Sequence, residues 1–135
     1  MNEVEKTVAE LKRYVRQKIL EFKMARPKEY RIALKNSKPD LRIVFGDDCI
    51  ADSVESAIEN IKTEADVKSY FTEFDYMASD YGANWYDEDT ECVRSGYKYE
   101  SCLCMEIRNI LAKAIGEKTL PISAYYDKAN YKEER

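Results

Sequence analysis

The side chains that could do chemistry in this 135-residue chain are carboxylates, lysines, tyrosines and cysteines, because the sequence contains no histidine. This absence excludes Ser-His and Cys-His nucleophile pairs, imidazole acid-base catalysis and imidazole metal ligands. The best remaining enzyme fragment is Asp40 with the run Asp66-Val67-Lys68, since metal-dependent nucleases use acids to hold a divalent ion that activates water. Such a site needs the Lys on a strand after the second acid, whereas Asp66 opens a predicted helix. We therefore expect that the protein is not an enzyme.

Two other groups of residues have some features of metal sites. Asp87, Asp89 and Glu91 suggest calcium, but their loop lacks the glycine and the terminal glutamate of an EF-hand. Cys102 and Cys104 are two residues apart, so on a helix their sulfur atoms point to different sides, and a zinc site shared with Cys92 would need Cys102 outside the helix. Structural thiols are the better interpretation, and we predict no metal and no cofactor.

The elements that position these side chains are mostly predicted helices. Over the first 22 residues, apolar residues recur every three or four positions, which is typical of a helix packed along one side. Asn2 and Glu5 form a predicted capping pair, and Pro27 ends this helix near Arg26. Three further helices are predicted over 50–61, 64–81 and 101–115, with a cap from Thr63 and Asp66 before the second and Gly116 as a left-handed cap after the last.

Residues 30–45 show a different, alternating pattern. The apolar positions are Tyr30, Ile32 and Leu34 in a first run, and Leu41, Ile43 and Phe45 in a second. A breaker-rich link separates the two runs, so we predict an antiparallel β-hairpin. The alternative is that Pro27 opens a short helix through Lys35. The predicted fold class is therefore α+β, mainly helical, with about four helices and one hairpin near 30–45, and the alternative is an all-α fold.

Length and composition bound the class of protein. A chain of this size can build one hydrophobic core, so we predict a single domain over 1–135, with 122–135 as a flexible tail. No run approaches the roughly 18 apolar residues that span a bilayer, and the N-terminal residues lack the apolar stretch of a secretion signal. The four cysteines are too few for a disulfide scaffold. These features predict a cytoplasmic protein without a membrane partner.

Charge is distributed unevenly along the chain. The net charge is +6 over residues 1–45, −12 over residues 46–91 and +2 over residues 92–135. The acidic third is also rich in aromatic residues, and tyrosine and tryptophan often anchor interfaces. If Val67, Phe71, Phe74 and Ala78 face inward, three- and four-residue steps place Glu73, Tyr76 and Asp80 on the outer face of the helix. The candidate partner-binding residues are Glu73, Asp75, Tyr76, Asp80, Trp85, Tyr86, Asp87, Glu88 and Asp89.

An exposed row of carboxylates can imitate nucleic-acid phosphates and fill a basic groove on a protein partner. In size, acidity and tyrosine content, the chain resembles the small inhibitors that phages and mobile elements make against host nucleases, including anti-CRISPR and antirestriction proteins. This resemblance is one of composition, spans residues 64–91 and involves no family motif. It implies a non-enzymatic DNA mimic that occupies the nucleic-acid-binding groove of a protein such as a nuclease.

Three alternatives remain open. The acidic segment can be a solvated helix face whose aromatic residues lie in the core. The protein can instead be a regulatory or assembly protein that acts through apolar helix-helix contacts, including contacts in a homodimer. The first helix also carries basic residues that could contact nucleic acid or the acidic face of a second copy, but Glu10 and Glu21 interrupt them, so direct nucleic-acid binding is not expected. These basic residues are Lys12, Arg13, Arg16 and Lys23.

Overall fold

The computed structural model describes residues 2–36, 40–45, 48–87, 90–93 and 95–126. The chain divides into two compact units, the N-terminal unit Met1–Lys62 and the C-terminal unit Thr63–Arg135. A single domain over 1–135 stays a prediction. None of the helices in the described ranges has an apolar stretch of the length that a membrane crossing needs.

The N-terminal unit consists of helices in its described part. These helices are α1 (Glu3–Ala25), α2 (Pro27–Lys35), α3 (Asp40–Phe45) and α4 (Asp48–Asn60). The predicted cap of α1 is present, because the side-chain oxygen of Asn2 accepts a hydrogen bond from the backbone N–H of Glu5 at 2.8 Å. The buried apolar residues of this unit come from all four helices and the residue after α4, namely Leu11, Val15, Tyr30, Val44, Phe45, Ile50, Ala51, Val54, Ala57 and Ile61.

The C-terminal unit consists mainly of two long helices. Its elements are α5 (Glu64–Ala83), β1 (Tyr86–Asp87), β2 (Cys92–Val93) and α6 (Ser95–Ala114). A capping box opens α5 as predicted, because the side chains of Thr63 and Asp66 each bond the other's backbone N–H. The last helix begins at Ser95, earlier than the predicted residue 101. Gly116 follows α6 with a φ of 72°, which is the predicted left-handed conformation.

The predicted α+β fold class and its hairpin over 30–45 are wrong. The described residues of that range form α2 and α3, and the only strands in the described part are β1 and β2, which pair antiparallel over two residues each. The alternating apolar pattern does not form one buried face, because Tyr30 is buried while Ile32 and Leu34 are exposed. Pro27 instead starts α2, since its fixed φ and missing N–H suit a first helical position.

Helices α5 and α6 pack closely because small residues lie between them. Ser101 is fully buried, and its hydroxyl donates a hydrogen bond to the backbone carbonyl of Ala78 at 2.8 Å. Ala78 lies one turn after Phe74 on the buried side of α5. The α6 side of this core is formed by Leu103, Cys104, Met105, Ile107, Leu111 and Ala112.

The residues that follow α6, here called the C-terminal segment (residues 117–126), also pack on α5. At Gly82, a Cβ atom would lie 2.6 Å from the carbonyl oxygen of Tyr125 and 2.7 Å from its Cβ atom. Both atoms are closer than van der Waals contact allows, so only glycine lets the backbone of this segment approach α5.

We therefore predict that Gly82→Ala lowers the free energy of unfolding by about 1–3 kcal/mol, because the added methyl group must displace the backbone at Tyr125. The matched control is Gly96→Ala, whose Cβ would meet nothing nearer than a side-chain oxygen of Glu100 at 3.8 Å. Because Gly96 lies in the first turn of α6, alanine there should change stability by less than about 1 kcal/mol, in the favourable direction. Urea unfolding measures both values. Equal effects of the two substitutions would contradict the close approach.

Candidate functional site

The outer side of α5 carries three of the predicted binding residues in one row. Glu73, Tyr76 and Asp80 are all exposed, and Tyr76 keeps 70% of its surface accessible. Steps of three and four residues put the three side chains on one side of the helix. The opposite side carries Phe74 and Ala78, which are completely buried, so packing sets the helix rotation that exposes this row. We call Glu73, Tyr76 and Asp80 the α5 acidic face.

Asp75 does not belong to this face. One of its carboxylate oxygens accepts hydrogen bonds from Nε of Arg108 at 3.0 Å and from the hydroxyl of Tyr125 at 2.7 Å. Its side chain is 34% exposed, whereas the side chain of Arg108 is only 7% exposed. Asp75 therefore joins α5, α6 and the C-terminal segment, and its charge is balanced within the molecule.

Arg108 is the buried cation at the centre of this arrangement. Besides its bond to Asp75, its Nη1 donates to the side-chain oxygen of Asn109 at 2.9 Å and to the backbone carbonyl of Lys118 at 2.5 Å. Its guanidinium group also lies 4.7 Å from the centroid of the Phe71 ring, within the range of a cation–π contact. These contacts offset the large cost of removing a guanidinium from water.

Asn109 continues the same network along the C-terminal segment. Its side chain donates to the backbone carbonyl of Leu120 at 2.7 Å and accepts from the backbone N–H of Leu120 at 3.1 Å. No pattern in the sequence predicted a role for Arg108, Asn109 or Tyr125. The signal in the sequence that could have identified a buried ion is the position of Arg108 in an apolar stretch, one residue after Ile107 and three before Leu111.

Trp85 and Tyr86 lie in a half-buried cluster of rings. The indole N–H of Trp85 donates to the backbone carbonyl of Tyr126 at 3.0 Å, and the Trp85 and Tyr86 ring centroids are 5.7 Å apart. The ammonium group of Lys98 lies 3.8 Å from the Trp85 centroid and 5.6 Å from that of Tyr126. Trp85 therefore holds the end of the C-terminal segment, and its polar N–H is already bonded.

The remaining predicted binding residues, Asp87, Glu88 and Asp89, are consecutive in the sequence. Asp87 belongs to β1, where it pairs with Cys92 across the strand pair. Glu88 and Asp89 lie outside the described residues, so their contribution to a binding surface stays a prediction.

The chemistry of the thiols and carboxylates follows from their surroundings. Burial, together with the nearby charge of Glu100, raises the pKa of Cys104, so its thiol stays protonated at neutral pH and is a poor nucleophile. Cys49 is exposed, and Cys102 is half-buried with its sulfur 3.6 Å from the hydroxyl of Tyr126. Within the described ranges, no group of three acids or cysteines is placed to hold a metal ion.

Asp75 and Glu73 are two residues apart on α5, and their surroundings predict different effects on stability. Asp75→Ala should lower the free energy of unfolding by about 1–3 kcal/mol, because Arg108 and the Tyr125 hydroxyl each lose a hydrogen-bond acceptor. Glu73→Ala removes an exposed carboxylate and should change stability by less than about 0.5 kcal/mol. Urea denaturation of both variants at neutral pH provides the comparison. Similar losses from the two substitutions would show that Asp75 is not part of a structural network.

Comparison with known proteins adds no family assignment. No protein-family model matches the chain, and no curated protein or solved structure matches it either. The surfaces of the molecule are therefore the guide to its function. Among the residues predicted from sequence to bind a partner, those of the α5 acidic face lie together and are exposed to solvent.

Proposed function

We propose that the protein is a non-enzymatic inhibitor that binds a protein partner through the α5 acidic face. The partner surface is basic and is one that otherwise holds nucleic acid. The observation that carries this proposal is the exposure of Tyr76 between Glu73 and Asp80 on a single side of a helix. A ring flanked by two carboxylates supplies both an anchor for an interface and charges for a basic partner.

The spacing of the two carboxylates supports mimicry of a nucleic-acid strand. Glu73 and Asp80 are seven residues apart, which corresponds to a separation of about 10 Å along a helix axis. Successive phosphates of one DNA strand advance about 3.4 Å along the duplex axis, so this distance covers about three steps. A basic groove shaped for phosphates could therefore contact both carboxylates.

The charge around this face has the sign that a basic partner needs. The C-terminal unit contains 15 Asp and Glu against 9 Lys and Arg, a net charge of −6. Helix α5 itself contains five acids, and Lys68 is its one basic residue. Charges of one sign on one surface speed association with an oppositely charged partner and make binding sensitive to salt.

The face is also held rigidly, which reduces the entropy lost on binding. The capping box at Thr63 and Asp66 fixes the start of α5, and the buried side chain of Phe74 fixes its rotation. Asp75 and Arg108 connect the middle of the helix to α6. The α5 acidic face is therefore formed before a partner arrives.

The test of this proposal is a pair of charge-reversed proteins with the same net charge. Glu73→Lys with Asp80→Lys changes the α5 acidic face, whereas Glu55→Lys with Glu59→Lys changes two exposed acids one turn apart on α4. Each full-length protein is immobilised and exposed to an extract of its native cells, and the retained proteins are identified by mass spectrometry. We expect a nucleic-acid-binding protein that the wild type and the α4 variant retain and the α5 variant loses.

The size of the effect is then measured as the affinity of each protein for the purified partner. The α5 variant should bind at least about tenfold more weakly than the wild type, and its affinity should depend less on salt. Added double-stranded DNA should compete with the wild-type protein for the partner. Equal retention by the two variants, or a partner that binds DNA and this protein simultaneously, would contradict the proposal.

A further inference from the structure

The N-terminal unit contains a groove between α1 and α2 that the proposed function does not use. Its volume is about 510 Å³. The residues that line it are Leu20, Lys23, Met24, Pro27, Tyr30 and Arg31. The lining therefore combines apolar side chains with two cations, Lys23 and Arg31.

The apolar part of the groove is open to solvent. Met24 is 75% exposed and Leu20 is 50% exposed, whereas Tyr30 is 8% exposed and forms a wall of the groove. Exposed apolar residues that line one concavity mark a binding site more often than scattered ones do. Methionine is the residue type that adapts best to different apolar partners, because its side chain is unbranched and polarisable.

The charge around the groove is strongly positive. Residues 20–36 contain five Lys and Arg against two Glu. Both acids form ion pairs with nearby residues. Oε2 of Glu21 lies 3.4 Å from Nζ of Lys18, and Oε2 of Glu29 lies 3.5 Å from Nη1 of Arg26. Lys23 lies 5.5 Å from the centroid of the Tyr30 ring, and in the part of the chain that the structure describes neither Lys23 nor Arg31 forms an ion pair, so both charges can pair with carboxylates of a partner.

We infer that this groove binds an acidic amphipathic helix of a protein partner. Apolar side chains of that helix contact Leu20 and Met24, and its carboxylates pair with Lys23 and Arg31. A cleft between two helices with an apolar lining and charged edges suits this mode of recognition. Tyr30 is only 8% exposed and Lys23 lies 5.5 Å from its ring centroid, so little of the ring is open for a nucleobase to stack on. A concave surface also fits a helix better than a flat lipid surface.

The inference goes beyond the proposed function, because it assigns a second docking surface of opposite charge to the other unit. The α5 acidic face binds a basic surface, and the α1–α2 groove binds an acidic one. The two surfaces share no residue, so each can be removed without changing the other.

The test uses two synthetic peptides of about 18 residues, long enough for roughly five helical turns. Both carry Leu and Phe on one face, and the other face carries Glu in the first peptide and Lys in the second. Binding of each dye-labelled peptide to the full-length protein is followed by fluorescence anisotropy. We expect the Glu peptide to bind at least about tenfold more tightly than the Lys peptide.

Two substitutions in the groove have matched controls outside it. Met24→Asp should weaken binding of the Glu peptide about tenfold, whereas Ile32→Asp, at an exposed position that does not line the groove, should leave it unchanged. Lys23→Glu with Arg31→Glu should reverse the preference in favour of the Lys peptide. Arg13→Glu with Arg16→Glu makes the same change of charge elsewhere on α1 and should keep the preference for the Glu peptide. Circular dichroism establishes that each variant is folded.

Several outcomes would overturn the inference. One is that the Glu peptide does not bind at concentrations up to about 1 mM. Another is that the groove variants and their controls behave alike. If Met24→Asp instead abolishes binding to phosphatidylserine vesicles or to double-stranded DNA, with no effect on peptide binding, the groove serves a membrane or a nucleic acid. Loss of a dimer in light scattering with Met24→Asp would show that a second copy occupies the groove.

Discussion

The pairing of a buried guanidinium with one carboxylate determines the arrangement of the C-terminal unit. Arg108 is almost completely enclosed, and a charge in that position is costly unless it is paired and hydrogen-bonded. Its partners come from α5, through Asp75, and from the C-terminal segment, through the carbonyl of Lys118. Together with the burial of Phe74 and Ala78, this pairing sets which side of α5 faces α6, and helical geometry then leaves the α5 acidic face in solvent.

The pairing of Asp75 with Arg108 distinguishes Asp75 from the acids near it in the sequence. Asp75 is balanced within the molecule and contributes to stability, whereas Glu73 and Asp80 lie outside on the exposed face. Part of the negative charge in the middle third of the chain therefore stabilises the fold. The proposed binding function rests on Glu73 and Asp80 alone, and the opposite charge of the α1–α2 groove predicts a different class of partner for the N-terminal unit.

Local patterns predicted the parts of the fold that local interactions determine. The caps at Asn2, Thr63 and Gly116 were predicted from residue type, because each depends on neighbours within a few positions. The hairpin over 30–45 was wrong because short alternating runs also fit helices that bury only one or two residues. The exposure of the α5 acidic face was predicted from the spacing of its residues along a helix. The roles of Asp75 and Trp85 could not be predicted, because their partners lie 33 and 41 residues away in the chain.

The most direct test of this account is a double-mutant cycle between Asp75 and Arg108. Asp75→Asn removes the charge with little change of size, and Arg108→Met keeps most of the length of the side chain. The free energy of unfolding is measured by urea denaturation for the wild type, both single variants and the double variant. A buried pair predicts a coupling energy of about 1–3 kcal/mol. Additive losses, with a coupling near zero, would show an exposed and weak ion pair and would contradict the account.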